Sequence, residues 1–410
     1  MRRKTVTLIL LMSLLLAGGF SLAQAQTEAA DGEEYIVQAD DWLSKLADKF
    51  YGDILAYPTI VEATNAMAAE DDSFTMIDNP DLIEIGQKLW IPTLAEGAIA
   101  MTDEAEGDMA AEESEEAAMA EDVDASLSTS YALIGEAVFP EGVAYNPASG
   151  KFYVGSTGDG TLFEGDVASG EVTVFSEGGS DGRTAAIGMK VDGNGYLWVA
   201  GGNLGQMFVY NTADGSLVAS YTTPEVEQTF INDVTITPDG AAYFTDSFRP
   251  ILFKASGTEG GEAEAWLDFT GTVLEYGEGF NLNGIAATPD GQYLITVHSP
   301  TGNLYRIDVA SQEVTLIDTG GAELTAGDGI LLIGDTLYVS RNSFGQIVPV
   351  TLSADYSTGT AGTAIIDDSL IFPTTIAQAD DSLLVVNSQF NNRGGTPELP
   401  FTVSRIPLPN

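Results

Sequence analysis

Asn281-Leu282-Asn283-Gly284-Ile285-Ala286-Ala287-Thr288-Pro289-Asp290-Gly291-Gln292-Tyr293-Leu294-Ile295-Thr296 holds a short strand, a Pro-Asp-Gly turn and a β-rich strand running back. The pattern recurs along the C-terminal two thirds of the chain. Laid over one another, the repeats open on Phe139-Pro140-Glu141-Gly142-Val143, Ala185-Ala186-Ile187-Gly188-Met189, Phe230-Ile231-Asn232-Asp233-Val234, Asn281-Leu282-Asn283-Gly284-Ile285, Ala326-Gly327-Asp328-Gly329-Ile330 and Phe372-Pro373-Thr374-Thr375-Ile376. Their period of about 45 residues is that of a propeller blade, not of a sandwich strand pair. The fold expected over residues 130–410 is therefore a six-bladed β-propeller. Phe401 to Ile406 reads as the third strand of the last blade and Tyr131 to Glu136 as its outermost strand. That pairing closes the ring and leaves no unpaired gap.

The third residue of each repeat falls where the innermost strand begins beside the central channel. Around the ring these residues are Glu141, Ile187, Asn232, Asn283, Asp328 and Thr374. Two carboxylates and two carboxamides converging on one axis suit a divalent cation of the calcium class, with waters completing its shell. The chain has no Cys and one His, which argues against zinc or copper. The alternative is a polar, water-filled channel mouth without an ion, in which neighbouring acids repel and hold their protons.

On these repeats the propeller resembles the gluconolactonase/regucalcin (senescence marker protein)/LRE-like family. The Pro-Glu-Gly at Glu141, the Asn-Gly at Asn283, the Asp-Gly at Asp328 and the Asn-Asp at Asn232 carry the resemblance. It implies Glu141, Asn283 and Asp328 as ligands of one divalent ion, calcium first, with Asn232 beside them. It further implies a catalytic role for Asp328, as general base toward water, and for Asn232. Thr229-Phe230-Ile231 stands where enzymes of that family often carry a substrate-contacting Arg. With Ile187, Phe248, Phe344 and Phe390 near the same face, the expected small-molecule ligand is less polar than a sugar-acid lactone. Residues just after the second strands are read as a substrate rim: Asp246, Arg249, His298, Arg341, Asn342 and Asn387, with Ser247, Ser299, Ser388 and Gln389 among them. His298 reads either as a second acid/base or as a solvated rim residue, and the two arginines either as ligand contacts or as partners of local acids.

Upstream, Gly97 to Leu127 holds eleven acidic residues, no basic ones and no aromatic ring. Such a segment cannot pack a core, so a disordered acidic linker is expected over 97–127, with the units it joins not packed tightly on one another. Before it, Tyr35 to Val37, Trp42 to Phe50, Pro58 to Asn65 and Lys88 to Pro92 read as strand, helix, helix and strand. This small βααβ domain, residues 33–94, resembles the LysM family through the stretch Tyr35 to Ala47 and through Asn79-Pro80-Asp81-Leu82-Ile83-Glu84-Ile85-Gly86-Gln87-Lys88-Leu89-Trp90-Ile91-Pro92. The resemblance implies binding of N-acetylglucosamine-containing cell-wall glycan such as peptidoglycan. The loops concerned hold Asp40, Asp41, Trp42 and Leu43, and Asn79, Pro80, Leu82 and Ile83. Asp41-Trp42 replaces the usual Asp-Thr, and Ala66 to Ile77 lengthens the loop before Asn79; a spacer that binds nothing is the alternative.

The first 25 residues join Met1-Arg2-Arg3-Lys4, an apolar run and the small-x-small site Ala23-Gln24-Ala25, which reads as a signal peptide. The run is shorter than the ~20 residues needed to span a bilayer, so the mature chain is expected to be exported without a transmembrane segment, to the cell envelope or beyond. Removing the three basic residues of that segment takes the formal net charge from −46 to −49. Nucleic acid is thereby excluded as a partner, because binding there rests on Lys and Arg neutralising phosphates. Two functions follow as expectations: a calcium-dependent hydrolase of lactones or related esters held at cell-wall glycan, or a non-catalytic ligand- or protein-binding propeller with a structural metal site.

Overall fold

The computed structural model describes residues 32–38, 41–77, 80, 83–93, 129–224, 228–393 and 395–409. The expected signal peptide and acidic linker lie outside the described residues. From Ser130 onward the chain forms six radial, essentially antiparallel sheets. The first blade runs outward through Pro140–Asn146, Lys151–Ser156, Leu162–Asp166 and Val172–Ser176. The innermost strands of the next five are Met189–Val191, Ile231–Ile236, Leu282–Ala287, Gly327–Ile333 and Pro373–Ala379. Pro373–Ala379 packs back against Pro140–Asn146, which completes the circle.

Closure is made as the sequence suggests. Ser130–Ala132 is the outer strand of blade six, antiparallel to Thr402–Pro407, with Val403 opposite Tyr131. N- and C-terminal strands thus share one sheet and no blade edge is left open at the seam. Each blade is buried on both faces, and the period-2 geometry of a strand explains how. Phe152 and Val154 pack with Leu384, Val386 and Val403 of blade six, whereas Tyr153, between them in sequence, packs with Leu197, Val199 and Phe208 of blade two. Second strands therefore read as continuous apolar runs, and this burial between blades is the main stabilising term, at roughly 25 cal/mol per Å² of apolar surface.

One irregularity positions the site. In five blades the pairing of first and second strands slips at the same place: between Pro140 and Val143, Ile231 and Val234, Leu282 and Ile285, Gly327 and Ile330, and Pro373 and Ile376. Each slip spans the ring residue and its successor, and a bulge of this kind re-aims a side chain. The successor is Gly in four repeats because the inner strands nearly touch. A Cβ on Gly142 would lie 2.1 Å from the Ile187 carbonyl oxygen, and one on Gly284 would lie 2.4 Å from that of Asp328.

The N-terminal unit pairs Gly32–Ile36 antiparallel with Lys88–Pro92 and carries helices Leu43–Tyr51 and Tyr57–Glu70. Gly52, at φ 71°, ends the first helix in the left-handed conformation that Gly adopts at least cost. Asp53 then caps a short turn by accepting the Leu55 N–H at 3.0 Å. Val37, Leu46, Ala47, Ile60, Leu89 and Ile91 form a core of the unit's own. Against the expectation that the two units do not pack tightly on one another, the structure places them in direct contact. Leu55 sits in one apolar cluster with Ile187 and Phe230 of the propeller, and Asp53 is ion-paired to Arg393. Among the described residues no helix is long and apolar enough to cross a membrane.

Candidate functional site at the propeller mouth

The bulges bring Glu141, Asn232, Asn283 and Asp328 to the floor of one cavity of about 40 Å³. Ile187, Phe230, Phe280 and Phe390 form an apolar collar above them; Ser299, Ala326 and Asn342 complete the propeller wall, and Leu55, Tyr57 and Pro80 of the N-terminal unit form the roof. Thr374 departs from the ring, since its hydroxyl is turned away to donate to the Glu141 carbonyl oxygen at 2.8 Å.

The floor holds acceptor oxygens that no group among the described residues satisfies. Glu141 Oε2, Asn232 Oδ1 and Asn283 Oδ1 are all buried without a hydrogen-bond partner. A buried orphan acceptor costs about 1–3 kcal/mol, so three around one cavity call for an occupant that accepts their lone pairs. Asn232 is held in this pose because its Nδ2 donates to Ser247 Oγ at 2.8 Å, and that hydroxyl donates to the Leu282 carbonyl at 2.6 Å. Asp328 Oδ2 accepts from Asn342 Nδ2 at 2.7 Å. Burial, reinforced by Asp328 and Asp233, pushes the Glu141 carboxyl well above its ordinary range. Burial likewise pushes Asp328 up to about 7, with Asp233 adding to the rise and Asn342 and Asn283 opposing it.

Asp233 is the residue that sequence reading passed over. It is buried, accepts the Val234 N–H at 2.8 Å and the Ile285 N–H at 3.1 Å, and adds a third negative charge beside the floor, offset by Lys190. The available signal was an Asp standing where four other repeats carry Gly. Hard oxygens, two carboxylates and unsatisfied carboxamides fit a calcium-class cation and would suit a softer metal poorly. Among the described residues no three His, Cys, Asp or Glu side chains gather as a metal set, so a carboxamide oxygen would have to join the two carboxylates as a ligand.

Of the six expected rim residues, Asn342 alone lines the cavity. Asp246 is wholly buried, accepting from Arg249 Nε at 2.8 Å, Thr229 Oγ1 at 2.6 Å and the N–H groups of Phe230 and Phe248, both at 3.0 Å. It staples its own loop and draws Arg249 off the mouth. His298 is buried between Asn281 Oδ1 at 3.2 Å and Thr301 Oγ1 at 2.9 Å, and burial pushes its pKa down to about 4. It is neither a solvated rim residue nor a wall of the cavity. The Arg341 guanidinium bonds the Thr325 carbonyl at 2.9 Å and stacks 3.9 Å from the centre of the Phe344 ring. Asn387 is wholly buried, with its Nδ2 on Thr402 Oγ1 and Ser404 Oγ. Of the expected apolar contacts, Ile187 and Phe390 line the cavity, Phe248 packs behind Phe230 and Phe280, and Phe344 is exposed.

Asp40, Asn79 and Leu82 of the expected glycan loops lie outside the described residues. Trp42, Leu43, Pro80 and Ile83 line a second crevice, of about 20 Å³, whose far wall is Glu278, Gly279 and Phe280 of the propeller. Asp41 ties its loop down, accepting from the Tyr35 hydroxyl at 2.7 Å and the Gln38 N–H at 2.8 Å.

No family model matches the chain. A protein of Deinococcus radiodurans is 39% identical over 75 residues, which is 18% of this chain and 25% of that protein's length. Among solved structures, the major Malassezia sympodialis allergen Mala s 1 aligns over 68% of this chain and 96% of its own at 13% identity, with a TM-score of 0.55, a likeness of fold alone. The calcium-binding protein regucalcin from Agrobacterium tumefaciens aligns over 68% and 93% at 18% identity and a TM-score of 0.49. A gluconolactonase from Xanthomonas campestris aligns over 67% and 87% at 17% identity and a TM-score of 0.48.

Proposed function

We propose that the chain is an exported protein of the cell envelope that hydrolyses lactones or related esters with the help of a divalent cation, calcium first. In this reading Glu141, Asn283 and Asp328 hold the ion, with Asn232 beside them. The observation that carries it is the convergence of three buried, unpartnered acceptor oxygens and the Asp328 carboxylate on one cavity. When bound, such an ion supplies Lewis acidity toward a carbonyl oxygen. The chain's own residues do the rest. Asn342 fixes Asp328 through Oδ2, and the Asp328 carboxylate takes a proton from water as the water oxygen attacks the carbonyl carbon. That proton passes to the leaving alkoxide as the acyl C–O bond breaks. The collar of Ile187, Phe230, Phe280 and Phe390 excludes water and favours an ester with an apolar body. The N-terminal unit, read as LysM-like, would hold the enzyme at cell-wall glycan.

A non-catalytic propeller with a structural cation is the second reading, favoured by the near-complete burial of Glu141, Asn232 and Asp328 on the floor. A panel of lactones and aryl esters, run with calcium and with chelator beside a metal analysis of the purified protein, separates the two. Calcium-dependent turnover that Asp328→Asn abolishes while the ion stays bound supports the hydrolase. A bound ion with no turnover on any ester supports the second reading, and no ion under any condition removes both.

A further inference from the structure

The cavity at the mouth is roofed by a different folded unit. Leu55, on the short turn between the two helices of the N-terminal unit, enters the apolar cluster of Ile187 and Phe230, and Tyr57 lies against Phe280 with ring centres 5.8 Å apart. A charged contact fastens this seat. Arg393 Nε donates to Asp53 Oδ2 at 2.5 Å, and the Arg393 carbonyl accepts from the Thr59 hydroxyl. Arg393 is itself anchored in the propeller, donating to Thr157 Oγ1 and lying over the rings of Phe139 and Phe390. The socket therefore belongs to the propeller, and Asp53 is the N-terminal unit's half of the pair.

With the roof seated the floor is nearly sealed from solvent, Glu141, Asn232 and Asp328 each being 5% exposed or less. The roof is nonetheless a folded body of its own. Its core is its own, its strands pair only with each other, and 35 residues of chain separate Thr93 from Thr129. The seat joins an ion pair and a hydrogen bond at Arg393 to apolar contacts at Leu55 and Tyr57, and partly exposed ion pairs of this kind are individually weak.

We propose that the N-terminal unit is an access-controlling cap on the propeller mouth, with Leu55 as its plug and Asp53–Arg393 as its latch, and that any organic ligand enters only when the cap lifts. The inference concerns access and holds whether the floor catalyses or only binds. It rests on the hydrolase reading only for the class of ligand admitted, so its test does not use turnover.

The chain has no native cysteine, so Ser299→Cys places a single thiol on the wall of the cavity. Maleimide labelling of that thiol in the intact chain reads access directly. Slow labelling is expected with the cap seated. Leu55→Glu, which sets a carboxylate in the apolar seat above an acidic floor, should speed it at least tenfold. Asp53→Asn removes the charge of the latch but keeps an acceptor for the Leu55 N–H, and should speed labelling several-fold. Asp53→Asn also serves if Leu55→Glu folds poorly, and circular dichroism and melting establish that the blades persist in each variant. Equal labelling rates in all three chains, or a thiol as reactive in the parent as in urea, would overturn the cap. Failure of every ester to react would leave it standing.

Discussion

Asp328→Asn tests the charge placed at the floor. In the absence of a cation, burial holds the Asp328 pKa at about 7 against an ordinary 3.8. A rise of that size corresponds to about 4 kcal/mol of destabilisation once the group is fully ionised, an upper bound because Glu141 shares the same field. The sign follows from linkage. The folded-state value is raised, so the stability linked to this proton is fully present below about 3.8 and is lost as pH rises through about 7. In chelator at pH 8 the parent should therefore be less stable than Asp328→Asn, by up to about 4 kcal/mol, or on the order of 10 °C in melting temperature for a domain of this size. Calcium should reverse the order. At a hundredfold excess over Kd it stabilises the parent by about 2.7 kcal/mol, and it stabilises the variant less, which has lost one negative ligand. Thermal melts from pH 5 to 8, with calcium and with chelator, read all four combinations. A variant that melts below the parent in chelator at pH 8 would refute the buried-charge reasoning. A parent indifferent to both calcium and chelator would remove the cation.

Gly142→Ala should destabilise the propeller by about 1–3 kcal/mol or more, because its Cβ would fall 2.1 Å from the Ile187 carbonyl oxygen; urea unfolding measures it. His298, with its pKa lowered from 6.5 to about 4, contributes stability that is present above 6.5 and is lost as pH falls through about 4, up to about 3 kcal/mol. The difference in melting between the parent and His298→Gln should shrink by that amount from pH 7 to pH 4. Because Trp42, Leu43, Pro80 and Ile83 face Glu278 to Phe280, chitooligosaccharide should bind weakly to the parent and several-fold more tightly to Leu55→Glu. Isothermal titration checks this, and no binding to either chain would favour a spacer role for the N-terminal unit.

The repeat spacing alone dictated six blades, the seam at Tyr131 and Val403, and the four oxygen-bearing residues of the floor. A strand period of two and a blade period near 45 residues are local properties, and they set the residue that opens each inner strand beside the axis in every repeat. Departures from the repeat decided what spacing could not convey. Thr374 turns its hydroxyl to a neighbouring carbonyl, and Asp246, His298, Arg341 and Asn387 find partners within their own loops, because a polar side chain goes to whichever buried donor or acceptor lies nearest. Asp233 took a place that most blades give to Gly, and its field is felt only when six inner strands meet within a few ångströms of one axis. The cap belongs wholly to the tertiary structure. Leu55 and Asp53 lie more than eighty residues in sequence from the nearest part of the mouth they cover. No periodicity connects them to it; complementarity of one apolar plug and one ion pair does.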